Sequence, residues 1–170
     1  MVVNLATQGY YPRDLGCSKV MATGEMCRLL SPQLKLATYG ARFTRSTPKA
    51  IAGFYGEAGT AVFCCVDSIS TRKLVWESVL ARAALFVDAR MNGEVIRVLT
   101  SDEPPVDRRY LTTFFEPHEA HSGSCTAKGT IYTASVAAGL MISQFTKWLR
   151  NLPVDKDLSL NLLSSELSAA

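Results

Sequence analysis

Ala61-Val62-Phe63-Cys64-Cys65-Val66 is a run of apolar and β-prone residues closed by Asp67-Ser68. No feature of the chain constrains its fold more. A strand without polar alternation is expected to bury both faces, as parallel strands do inside an α/β sheet. Ser70 is a candidate helix cap after it, and Leu74, Val75, Val79 and Leu80 give an apolar stripe to a helix running through Arg82. Ala84–Met91 reads as the next strand. Asn92-Gly93 is a hairpin signal, with Glu94–Thr100 returning antiparallel.

The flanks extend this pattern. Lys19–Leu30 carries apolar residues at helical spacing, interrupted by Gly24 and stopped before Pro32. Leu34–Thr38 alternates and reads as a short strand running towards Phe43. Ser46-Thr47-Pro48 marks a brief helix with Pro48 at its first position. Arg109–Phe115 is ambiguous, and His118–Gly129 is a polar loop. Thr130–Arg150 is the longest helix, and Leu158–Leu163 a last strand. The expected architecture is α/β and Rossmann-like: three layers around a mostly parallel sheet with an antiparallel edge hairpin. The 170 residues suit one domain, 1–170.

Composition narrows the function. A formal charge of +3, from 18 basic and 15 acidic residues, is too slight and scattered to indicate nucleic acid. The longest apolar stretch, Ala134–Ile142, is too short to span a membrane. The amino terminus has neither the basic nor the apolar region of a signal peptide. Five cysteines, none spaced Cys-x-x-Cys, read as reduced thiols of a cytoplasmic protein.

Four places could carry chemistry. Asp67, at the carboxyl end of a buried strand, sits where open α/β sheets bind ligands, and its hard oxygens suit Mg²⁺ and phosphates; the plainer alternative is a helix cap. Lys19 and Arg72 could neutralise phosphate, or be solvated surface groups. His118, His121 and Cys125 are zinc-ligand types, but three at this spacing match no common site, and a polar loop is the simpler reading. Cys125 alone, shortly before the long helix, is a nucleophile if its pKa is lowered there and an inert thiol otherwise.

Taken together, four segments resemble the ThiF/MoeB/HesA family of ubiquitin-activating-type adenylyltransferases. Asn4-Leu5-Ala6-Thr7-Gln8 followed by Asp14-Leu15-Gly16-Cys17-Ser18-Lys19 is similar to the family's Asn-Leu-x-Arg-Gln loop and its Asp-[Ile/Leu]-Gly-x-x-Lys. Cys65-Val66-Asp67-Ser68-Ile69-Ser70-Thr71-Arg72 is similar to the strand-ending Asp with an Arg five residues on. Cys125 before Gly129-Thr130-Ile131-Tyr132 resembles the crossover-loop cysteine. The long helix with Lys147-Trp148-Leu149-Arg150 resembles the closing helix.

The resemblance implies ATP and Mg²⁺ as cofactors, and adenylation of the carboxyl terminus of a ubiquitin-like or sulfur-carrier protein. It also implies a homodimer or heterodimer. Asp67 would hold Mg²⁺, and Lys19 would contact the phosphates. Asn4 and Gln8 would line the nucleotide site. Arg72 would belong to the same site by supporting the Asp67 loop rather than touching substrate. Cys125 would lie where some members attach or shuttle the activated protein.

Three departures stand out. No Gly-x-Gly-x-x-Gly turn precedes Asn4, although its amides would cradle phosphate. The chain therefore reads as amino-terminally truncated against the family pattern, and adenylation is not expected of it unaided. The Arg of Asn-Leu-x-Arg-Gln is Thr7, and no Cys-x-x-Cys pair is present to bind structural zinc. Two other readings follow: a non-catalytic pseudoenzyme or partner subunit of an active member, and a small metal-binding module using His118, His121 and Cys125.

Overall fold

A computed structural model describes residues 9–51, 53, 59–115 and 130–170. The chain divides into two compact units, 1–43 and 44–170.

In the first unit, a 3₁₀ turn at Pro12–Asp14 precedes helix α1, Lys19–Leu30. Ser18 caps α1 by accepting a hydrogen bond from the Met21 amide, which satisfies one of the free donors at a helix start. Residues 34–38 do not form the expected strand. Instead the extended segment crosses α1 at Gly24, where an added Cβ would lie 2.8 Å from Thr38 Cγ2. The alternation there reflects packing on a helix, and the glycine that interrupts α1 is what permits the close approach.

The second unit opens with a four-residue helix α2, Thr47–Ala50, in which Pro48 takes the second position. It continues through β1 (Ala61–Cys64), α3 (Ile69–Val79), β2 (Leu85–Asn92) and β3 (Val95–Ser101). A 3₁₀ turn at Tyr110–Thr113, helix α4 (Ile131–Leu149) and strands β4 (Asp157–Asn161) and β5 (Glu166–Ala169) complete it. The strands lie in the order β1-β2-β3-β4-β5. Only β1 and β2 are parallel; the pairs from β2 to β5 are antiparallel. The α/β class holds, and the described sheet is mixed rather than mostly parallel.

The reason is in the connections. The β1–β2 link contains α3, which is long enough for a parallel crossover, whereas Gly93-Glu94 and Leu162–Ser165 are tight links that reverse the chain. Gly93 takes φ +59°, the conformation a two-residue hairpin turn favours. Among the described strands β1 pairs with β2 alone. Its burial is accordingly uneven, with Phe63 38% exposed and Cys64 2%, not complete on both faces.

Strand alternation divides the core. One face of the sheet presents Leu85, Val87, Ala89, Ile96, Val98 and Leu158 to Ala137 and Met141 of α4. The other presents Phe86 and Asp88 to α3 and the 3₁₀ turn, with Trp76 and Tyr110 packed edge-on to Phe86 at ring-centroid distances of 5.0 and 5.2 Å. Helical elements thus cover both faces, giving three layers.

Candidate functional site: the tip of β1 and a buried carboxylate

Strand β1 ends at Cys64, and the loop Cys65-Val66-Asp67-Ser68 leads into α3. Ser68, not Asp67 or Ser70, is the cap: its hydroxyl accepts from the Thr71 amide. Asp67 is therefore relieved of that role. It is exposed, and among the described residues no hydrogen bond or ion pair engages its carboxylate. A carboxylate left open at the carboxyl end of a parallel strand, one residue before a helix, has the position of a ligand-binding group in an open α/β sheet.

Arg72 lies one turn into α3. It is neither solvated nor open to a ligand: it is 7% exposed and its Nη1 donates to Asp88 Oδ1. The buried stripe of α3 is Arg72, Val75, Trp76 and Val79. The helix thus turns a cation inward where the sequence stripe of Leu74, Val75, Val79 and Leu80 anticipates apolar residues only. Its backbone amide also bonds to Ser68 O at 3.0 Å.

Asp88 is the centre of the arrangement. It is fully buried on β2, directly beside Cys64, the last residue of β1. Arg90 Nε donates to its Oδ2 at 2.8 Å, and Tyr110 Oη donates to the same oxygen at 3.0 Å. Arg90 also binds Thr113 through its carbonyl and hydroxyl, at 2.7 and 2.9 Å. Its guanidinium lies 5.7 Å from the Tyr110 ring centroid and 5.6 Å from that of Phe114. A buried carboxylate is costly unless its lone pairs are satisfied by cations and donors, and here they are. Burial first, and then the charge of Asp88, raise the Tyr110 hydroxyl pKa, so that it stays a donor. The same two causes push the Cys64 thiol up to about 12. Cys65 is also raised, by burial first.

The sequence reading missed Asp88. Its signal was Asp88 and Arg90, opposite charges two residues apart in an otherwise apolar strand, which places both on one face.

Lys19 is exposed at the first position of α1, in the other compact unit. Asn4, Gln8, His118, His121 and Cys125 lie outside the described residues. Among the described residues, no group of three or more His, Cys, Asp or Glu side chains could hold a metal ion by itself. No described helix is long and apolar enough to cross a membrane.

These features define an α/β chain with an open acidic group at a strand tip. The sequence matches the ThiF family over residues 2–167, and the chain belongs to that family. Among solved structures it is similar to the crystal structure of selenomethionine PaaA, at 16% identity and a TM-score of 0.72. That match covers 100% of this chain and 60% of PaaA, so the chain spans less than two thirds of that solved relative. No curated protein matches the sequence.

Proposed function

We propose that this chain carries the metal-binding carboxylate of an ATP-dependent adenylyltransferase, which activates the carboxyl terminus of a ubiquitin-like or sulfur-carrier protein. One observation carries the proposal above the rest: Asp67 is open at the tip of β1 because Ser68 performs the capping. Family membership supports the reaction class.

The donor set suits the cofactor. Mg²⁺ bound to a nucleotide keeps several waters and takes one or two carboxylates along with the phosphates, so a single exposed aspartate is sufficient and an all-protein cage is not needed. When bound, Mg²⁺ offsets charge on the phosphate oxygens. In the reaction, a carboxylate oxygen of the carrier protein forms a bond to the α-phosphorus of ATP. The bond from that phosphorus to the bridging oxygen breaks, and pyrophosphate leaves with the electron pair. Two anions must meet, so catalysis depends on positioning and on fixed positive charge. By resemblance to the family, such a charge is assigned to Lys19, nucleotide binding to Asn4 and Gln8, and holding or passing on the activated protein to Cys125. The protein is cytoplasmic and works as a homodimer or heterodimer. An assembly is also supported by α1, which buries only Ala22 and Gly24 and leaves Val20, Met21, Leu29 and Leu30 exposed.

ATP–pyrophosphate exchange tests the proposal, with a carrier protein and an intact family member supplied in turn. Exchange that Asp67→Asn abolishes is the expected result. Exchange indifferent to Asp67→Asn would instead make the chain a non-catalytic partner.

A further inference from the structure

The side chains behind the strand tip form a clamp that the adenylation reading does not itself require. Asp88 pairs in register with Cys64, three residues before Asp67. Through Arg72 it grips α3 in its first turn, and Arg72 in turn holds Ser68 through the helix backbone. Through Arg90 and Tyr110 it grips the 3₁₀ turn at Tyr110–Thr113, which is also tied to Arg90 by both bonds at Thr113. The loop from Cys65 to Ser68 thus runs between two ends that meet at one buried carboxylate. A clamp with every group satisfied has little freedom to reorder, because any opening strands a charge in a low-dielectric interior.

We propose that Asp88 is a positioning residue. It fixes the first turn of α3 through Arg72, so that the Asp67 carboxylate is already placed for the nucleotide-bound metal. The inference rests on the functional reading above and adds to it a residue that does not touch the ligand. Partners of this kind commonly govern metal affinity by a factor of about 10–100.

The test is a double-mutant cycle read as the Mg²⁺ concentration that half-saturates ATP binding. The proteins are wild type, Asp67→Asn, Asp88→Asn and the double variant, all held below their melting temperatures. Asp88→Asn is expected to raise that concentration about tenfold, and to have no further effect once Asp67→Asn is present, because it acts through that group. A lowered melting temperature with unchanged Mg²⁺ half-saturation overturns the proposal. So do additive effects of the two substitutions. If Asp88→Asn does not fold, Arg72→Lys replaces it in the cycle, because it keeps the buried cation and loses the guanidinium fork; the same outcomes apply. If Asp67→Asn alone leaves Mg²⁺ half-saturation unchanged, the functional reading fails and this inference with it. If Asp67→Asn weakens the response and Asp88→Asn does not, only the inference fails.

Discussion

Asp88 is held by two arginines and a tyrosine, and this predicts how it fails. Asp88→Asn keeps the shape but leaves buried Arg72 and partly buried Arg90 without their counter-charge. Losing one partner of a buried pair costs about 3–5 kcal/mol, so the variant should unfold at distinctly lower denaturant in equilibrium urea titrations. An unchanged midpoint would mean the pair is solvated. Cys64 illustrates the same environment: with its thiol held up at about 12, it should stay unlabelled by iodoacetamide at pH 8 in the folded protein, while exposed Cys17 reacts. Mass mapping of labelled peptides checks this, and rapid labelling of Cys64 would show that the clamp opens.

The elements were legible to different degrees, for physical reasons. Helix α1 and helix α4 declare themselves through capping serine or threonine and periodic apolar residues, and both match their expected spans closely. The β2–β3 hairpin is written in Asn92-Gly93-Glu94. The parallel setting of β1 and the antiparallel hairpin were legible; the direction of β4 was not, because the long connection from β3 through α4 serves either direction. Strand β5 went unseen because Glu166-Leu167-Ser168-Ala169 is only four residues long, and its alternation rests on Leu167 and Ala169 alone. Asp67 could be singled out from its place after a strand; Asp88 offered only its spacing from Arg90 on the same strand, since its other partners, Arg72 and Tyr110, come from other elements.

Ser68→Ala should cost about 1 kcal/mol by removing the α3 cap, measurable by thermal denaturation. The pair of Arg97 and Asp157 joins β3 to β4, and the hydrogen bond from Arg97 holds the Asp157 carboxyl below its usual 3.8. A lowered carboxylate pKa contributes stability that is present above the unfolded value and lost as pH falls through the folded one. Asp157→Asn should therefore lower stability at pH 7, by at most about 1 kcal/mol for a partly exposed pair, and the deficit should shrink as pH falls below 3.8 and through the lowered pKa of the folded state. A deficit that stays constant as the solution is acidified would contradict the assignment.

At the scale of the whole molecule, the chain combines ThiF family membership with a mixed sheet in which the parallel pair described, β1 and β2, leads into an open aspartate. The fold similarity to PaaA extends over all of it despite 16% identity, as expected where layer packing, not individual residues, is retained. The account depends on that aspartate meeting a metal–nucleotide complex. Calorimetric titration with ATP, with and without Mg²⁺, is the most direct measurement. The wild-type protein should bind ATP with Mg²⁺ at least about tenfold more tightly than Asp67→Asn does, the range expected when a metal site is perturbed, and the two should be alike without the metal. Equal affinity of the two proteins for ATP with Mg²⁺, or no binding by either, would contradict the account.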